Sequence, residues 1–341
     1  MIRFNSDYLE GAHPDVLRRL TETNAEQTCG YGMDEYCAAA ADKIRAACEN
    51  PDAEIYFLVG GTQTNTTVIA SMLRPHQGVL APVSGHISVH EGNGVEGAGH
   101  KVLTLPAHDG KLRAEDVEKA CIAWDENPAW EHTVKPGMVY ISHPTETGTL
   151  YTKKELTELR AVCDRWHLPI YLDGARLACA LGSDETDLTL PDIARLCDVF
   201  YIGGTKCGAL FGEAVVIRDK GSIAGFRNII TQRGALLAKG RLLGLQFDAL
   251  FTDDLYFRIG RREVEQALRV RDGFREKGYP FMNDSPTNQQ FPILSTEQIG
   301  RLSRDFSFED FGPADETHRV CRFCTSWATR DEDIDALLCA I

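Results

Sequence analysis

The chain has 341 residues, 43% hydrophobic and 25% charged, with 36 Lys+Arg against 50 Asp+Glu and a net charge of −14. That is the make-up of a globular enzyme whose core needs neither disulfides nor a structural metal. The acidic balance, with no Lys/Arg-rich run, argues against nucleic acid and anionic membrane as partners, and no apolar stretch approaches the roughly 20 residues of a membrane helix.

In chain order, residues 1–12 read as an irregular arm, and His13-Pro14-Asp15 as a helix start with proline in the first turn. Its opening, Met1-Ile2-Arg3-Phe4-Asn5-Ser6-Asp7, turns polar too early for a signal peptide. The 11 cysteines are odd in number and irregularly spaced, so they read as reduced thiols in a cytoplasmic protein. Glu54–Val59 is the first strong strand, running into Gly60-Gly61-Thr62 and a helical pattern from Thr64 to Leu73. Short apolar runs follow at 79–80, 102–103, 139–141, 170–172, 199–202 and 214–217, with helical stretches such as Arg113–Trp124 and Lys153–Trp166 between them. This alternation predicts an α/β fold, a mostly parallel central sheet with helices on both faces. After about Gly240 come helical segments at Leu245–Phe257 and Arg262–Lys277, strand-like pieces at Phe291–Leu294 and Val320–Trp327, and a last helix from Asp331. The expected organisation is an arm (1–12), a large α/β domain (13–243) and a smaller C-terminal α+β domain (244–341).

Four places carry candidate chemistry. Gly60-Gly61-Thr62-Gln63-Thr64-Asn65 puts backbone N–H groups at a helix start, where a phosphate can sit, although a plain capped turn has the same pattern. Asp173 directly follows the strand Ile170-Tyr171-Leu172, at the strand end that faces the ligand crevice of α/β sheets. Lys206, in Gly203-Gly204-Thr205-Lys206-Cys207-Gly208, follows another strand, with glycines leaving room around its amine. The fourth is Ser84-Gly85-His86 through His90-Glu91-Gly92, where His86 is in position to stack on a planar group. Any one of these is weak alone. Together, an amine, a carboxylate and a phosphate cup are what pyridoxal phosphate requires.

Three other motifs carry less. Gly92-Asn93-Gly94-Val95-Glu96-Gly97 spells a dinucleotide fingerprint without the strand that should precede it. Cys321 and Cys324 are three apart on an expected strand and so face opposite sides, which makes a metal pair improbable. Asn65-Thr66-Thr67 fits a glycosylation acceptor only in an exported chain.

These residues, with Tyr31-Gly32-Met33-Asp34, Thr145-Glu146-Thr147-Gly148, Asp173-Gly174-Ala175-Arg176 and Val320-Cys321-Arg322-Phe323, resemble the L-threonine aldolases of the fold-type I pyridoxal-phosphate enzymes over essentially the whole chain. The His143-Pro144-Thr145-Glu146-Thr147-Gly148 stretch is most similar to a branch with low-specificity and phenylserine-type aldolases. The resemblance implies a fold-type I architecture and retro-aldol cleavage of L-threonine and related β-hydroxy amino acids to glycine and an aldehyde. A β-eliminating lyase or an aminotransferase of the same fold is the alternative. It implies pyridoxal 5′-phosphate on Lys206 through a Schiff base, Asp173 at the ring nitrogen, His86 on the ring, and Gly61, Thr62, Gln63 and Thr205 around the phosphate. Ser6, Arg176 and Arg322 would hold the substrate carboxylate, Arg176 also lying beside the cofactor. His132 would contact the substrate hydroxyl and, like His86, is a candidate base. Tyr31 would come from a neighbouring subunit of a homodimer or homotetramer, with sites at the interface. Two positions depart from the family pattern: Thr231 stands where relatives carry a basic residue that reaches a partner's phosphate, with Arg233 the available substitute, and His143 replaces an amide residue.

Overall fold

Three strands of the central sheet, Ile170–Asp173, Val199–Gly203 and Glu213–Ile217, have every residue buried, which is why they read as near-unbroken apolar runs without alternation. A computed structural model describes residues 1–341. Its strands are β1 (Ile2–Arg3), β2 (Glu54–Leu58), β3 (Gln77–Pro82), β4 (Val102–Leu105), β5 (Lys135–Ser142), β6 (Ile170–Asp173), β7 (Val199–Gly203), β8 (Glu213–Ile217), β9 (Gln289–Gln290), β10 (Ile293–Ser295), β11 (Phe306–Ser307), β12 (Glu309–Pro313) and β13 (His318–Cys324). The seven-stranded central sheet has the order β2-β8-β7-β6-β5-β3-β4. All its pairs are parallel except those of β8, which is antiparallel to β2 and β7. The expected mostly parallel α/β sheet is therefore present.

Helices cover both faces. The helix Lys153–Trp166 opens on a capping box between Thr152 and Glu155 and buries Leu156, Leu159, Val162 and Cys163 on one stripe. It belongs to the larger apolar cluster, with Val139, Ile141, Ile170, Leu172 and Phe200 from the sheet. The opposite face carries Met138, Tyr140, Tyr171, Val199 and Tyr201, packed with Val68 and Ile69 of the helix Gly61–Met72. Because side chains alternate along a strand, Asp173 shares the second face with Tyr171, whereas His143 continues the first face with Val139 and Ile141.

The C-terminal part differs in detail from the sequence expectation. The observed helices are Arg241–Leu250 and Leu255–Glu276. The break between them falls at Asp253 and Asp254, both at positive φ (50° and 55°), a conformation Asp tolerates and periodicity does not reveal. Phe247, Leu250, Tyr256 and Ile259 pack in the large-sheet core, while Val270 and Phe274 join a separate cluster with Phe4, Leu294 and Phe323. The apolar cores thus change hands along the helix 255–276 rather than at residue 243. The N-terminal arm is not irregular throughout: β1 pairs in parallel with β11, and Phe4 is buried. The β10-β13-β12 sheet lies in this same C-terminal region. No helix is long and apolar enough to cross a membrane.

Candidate active site

Asp173 is the last residue of β6 and is buried. Four donors hold its carboxylate. Oδ1 accepts from the Tyr201 hydroxyl and the Ala175 N–H, the latter at 3.0 Å. Oδ2 accepts from the Tyr140 hydroxyl at 2.7 Å and from Asn65 Nδ2 at 3.1 Å. Tyr140 and Tyr201 stand on the strands flanking β6 and point to the same face, so the sheet itself fixes the acid.

Lys206 lies three residues beyond β7, on the turn between β7 and β8, with its Nζ 5.8 Å from the centre of the Tyr8 ring. Burial, with the Arg176 charge next in weight, pushes its amine below the usual lysine range against the pull of Asp7, Asp173 and Glu213. An amine with a lowered proton affinity is a better nucleophile near neutrality. The turn is held from beneath by Glu213, which accepts from Gly204 N–H at 3.1 Å and from the Thr205 hydroxyl at 2.8 Å. Burial raises the Glu213 carboxyl.

The helix Gly61–Met72 starts with Gly60 as its cap, and no side chain caps it. The N–H groups of Gly61, Thr62 and Gln63 are therefore the orphan donors of a helix start. A Cβ on Gly61 would sit 3.1 Å from the Tyr201 hydroxyl oxygen, so bare backbone borders the Asp173 cluster. Gln63 turns its amide oxygen back to the Val59 N–H at 3.2 Å.

His86 begins a short helix after β3 and is partly exposed. Its Nδ1 is 2.6 Å from Glu91 Oε1, and its backbone N–H donates to Glu146 Oε1 at 2.8 Å. Burial opposes a charge on the ring, yet the Glu91 hydrogen bond and the Asp173 and Glu91 charges outweigh it and raise the imidazole above its ordinary value. Burial raises the Glu146 carboxyl. His90 packs against His86 with ring centroids 5.0 Å apart.

Arg176 is locked by the arm: its Nε and Nη2 donate to Asp7 Oδ2 and Oδ1 at 2.5 and 3.1 Å, and Asn288 Nδ2 also donates to Asp7 at 3.0 Å. Burial alone would raise Asp7, but Arg176 and Lys206 hold its carboxyl well below the usual carboxylate range. Ser6 is buried and its hydroxyl has no partner. Arg322, on β13, donates from Nη1 to Gln289 at 3.2 Å and from Nη2 to Glu309 and to the Asn5 carbonyl.

Asp173, Lys206, Arg176, Gly61 and His86 are thus linked through shared partners; the arm adds Ser6, next to Asp7, and its Asn5 carbonyl accepts from Arg322 of β13. The remaining candidates lie apart from this group or are engaged by other partners. His132 sits in a short turn three residues before β5, whose eight residues run toward Ser142 beside Asp173. At roughly 3.3 Å per residue Lys135 is already about 23 Å from that strand end, and His132 lies beyond it, apart from the Asp173 cluster of this chain. The Thr205 hydroxyl donates to Glu213 and accepts from Gly212 N–H at 3.1 Å. Tyr31 is exposed, with positive φ, and its carbonyl accepts from Arg227 at 2.7 Å. Arg233 bends back to the Ala98 carbonyl at 3.4 Å. His143, on the other face, accepts from Tyr151 N–H at 3.3 Å and is pushed down by burial to about 4, which makes it a neutral packing residue. Sequence reasoning does not single out Asn65, Glu91, Glu146, Tyr140, Tyr201, Asp7 or Glu213 as site residues, although Asn65, Glu91 and Glu146 lie inside motifs that it does.

Residues 4–295 match the family model described as beta-eliminating lyase. A low-specificity L-threonine aldolase of a Pseudomonas strain is 30% identical over 75% of this chain and 73% of its own length. The chain belongs to the beta-eliminating lyase family, in its L-threonine aldolase branch. Another low-specificity L-threonine aldolase, from Pseudomonas aeruginosa, is 29% identical across 98% of the chain and 95% of its own length. The solved structure of Leishmania major threonine aldolase superposes with a TM-score of 0.96 at 45% identity, covering 99% of this chain and 98% of that one. An aspartate aminotransferase of Thermus thermophilus shares only the fold, at 16% identity, TM-score 0.72, and coverage of 99% and 90%. As a member of this lyase family the chain is an enzyme, and the aminotransferase alternative is not favoured.

Proposed function

We propose that this enzyme cleaves L-threonine and related L-β-hydroxy-α-amino acids to glycine and an aldehyde, using pyridoxal 5′-phosphate. The observation that carries the reading is the pairing of Asp173, fixed by four donors, with Lys206, whose amine is held below its ordinary range, on neighbouring strand ends. The fit to the cofactor rests on three features: a strand-end carboxylate for the ring nitrogen, three orphan N–H donors at Gly61, Thr62 and Gln63 for the phosphate, and the His86 ring. Lys206 would hold the cofactor by its amine, and the cofactor, when bound, supplies the electron sink for the carbon–carbon cleavage.

The chain's own residues supply the rest. Arg176 keeps Nη1 unpaired in its fork while Asp7 fixes the other side, so it offers a pre-aimed donor to a substrate carboxylate. Arg322 and the partnerless Ser6 hydroxyl complete that anchor. With the carboxylate fixed, the substrate's rotation about its Cα–N bond is fixed too, and the Cα–Cβ bond is the one set for cleavage. His86, held by Glu91, accepts the β-hydroxyl proton directly or through one water as the aldehyde departs. A homodimer or homotetramer in which the exposed Tyr31 completes a neighbouring site is part of this reading.

Incubation of the loaded enzyme with L-threonine, L-allo-threonine and phenylserine tests it. Equimolar glycine and aldehyde are expected; an α-keto acid with ammonia, or transfer of the amino group to an acceptor, would transfer the assignment to elimination or transamination.

A further inference from the structure

One polar residue inside the second face of the sheet touches both acids of the site. Asn65, on the helix that follows β2, is wholly buried. Its Nδ2 donates to Glu91 Oε1 at 2.7 Å and to Asp173 Oδ2 at 3.1 Å. Its Oδ1 accepts from the Tyr171 hydroxyl at 2.7 Å. This pattern admits only one amide orientation, because a flipped amide would set its oxygen against two carboxylate oxygens. Tyr171 is on β6, two residues before Asp173, so the strand that carries the acid also locks the amide that binds it.

At the other end, Glu91 is placed against backbone preference: its φ is 63°, in the left-handed region that non-glycine side chains rarely adopt. Its Oε1 carries both the Asn65 and His86 contacts, while Oε2 is buried without a partner. The Asn65 amide is therefore one of only two side-chain partners that hold this carboxylate, the other being the His86 ring.

We propose that Asn65 is a positioning residue that joins the ring-nitrogen acid Asp173 and the histidine-bearing acid Glu91 into a single unit, locked by Tyr171. The proposal rests on the reading of Asp173 and His86 given above. Without the amide the two acids have no donor between them. Asp173 keeps three other donors, whereas Glu91 keeps only His86, so the Glu91 carboxylate is no longer fixed in place and His86 loses its fixed anionic partner. The other ionisable groups that face His86 are Glu146, Asp173, Lys206 and His90; of these only Asp173 touches the amide, and it keeps three of its four donors when the amide is removed.

The test uses Asn65→Ala and Tyr171→Phe in the full-length enzyme, with two readouts. One is the dissociation constant for pyridoxal phosphate, measured by equilibrium dialysis. The other is the pH midpoint of His86, read from the rate of diethyl pyrocarbonate labelling of its peptide. Asn65→Ala is expected to weaken cofactor binding about tenfold or more and to lower the His86 midpoint by about one unit, the order expected for hydrogen bonds to charged groups. Tyr171→Phe should move both in the same direction by less. Should Asn65→Ala not fold, Tyr171→Phe decides alone. Folded variants that keep both values within about twofold of wild type, or that shift one and not the other, overturn the proposal. If wild-type enzyme takes up no pyridoxal phosphate, the functional reading fails instead, and the His86 midpoint still reports on the Asn65 link.

Discussion

Replacing Asp7 by Asn tests whether the N-terminal arm is part of the site. Asp7 is buried, its side chain fully so, against an Arg176 side chain that is 14% exposed. An Asn can keep its oxygen where Oδ2 meets Arg176 Nε and Asn288, but its NH2 group then faces Arg176 Nη2, donor against donor. One charge-assisted bond is lost, and a buried guanidinium is left without its counter-charge. Removing one partner of such a pair costs about 3–5 kcal/mol, a large part of a typical total of about 5–15 kcal/mol. Urea unfolding should therefore give a midpoint well below wild type at neutral pH. Arg176 should lose its aim as well, so KM for L-threonine should rise more than kcat falls. The pH dependence has a fixed sign. The Asp7 carboxyl is lowered in the folded state, so its contribution is complete above the unfolded carboxylate value and is lost as pH falls through the folded one. The gap between wild type and variant should therefore be widest at neutral pH and narrow only in strong acid. A loss under about 1 kcal/mol with unchanged KM would refute the reasoning.

Other outcomes follow from the same geometry. His132→Asn should leave aldehyde release within about twofold of wild type, since the residue lies beyond Lys135, itself about 23 Å from the strand end; a large drop would return His132 to the reaction. Glu91→Gln removes the anion that raises His86, so the acid limb of kcat/KM should move to lower pH, and an unmoved limb would take the proton-accepting role from His86. His86 also contributes stability below its unfolded value that disappears as pH rises through its folded one; the Glu91→Gln deficit in a melting experiment should therefore shrink on the alkaline side. Gly174→Ala would put a Cβ 2.0 Å from the Tyr201 carbonyl oxygen, backbone against backbone, and should yield a markedly less stable or insoluble protein; a variant that melts like wild type would contradict that contact.

The most legible parts of the site were those where residue type and strand position coincide. Asp173 and Lys206 each follow an apolar run at the crevice end of the sheet, so their placement required only the α/β pattern. The network around them was not legible, because Asn65 and Asp173 are 108 residues apart and nothing local indicates that Tyr140 and Tyr201 aim their hydroxyls at one carboxylate. Strand rise shows where His132 lies: seven positions before the Val139–Ile141 strand, it falls toward the edge opposite Ser142 and Asp173. His143 is the converse case. Alternation from Ile141 puts it on the far face from Asp173, where it meets Tyr151 and the core. The arm looked irregular because a two-residue strand has no periodicity to detect, yet it carries Asp7 to Arg176.

Borohydride reduction of the enzyme loaded with pyridoxal phosphate, followed by peptide mapping, addresses the central assignment most directly. One phosphopyridoxyl group on the peptide containing Lys206 is the expected result. A label on any other lysine, or none on an enzyme that still cleaves L-threonine, would contradict it.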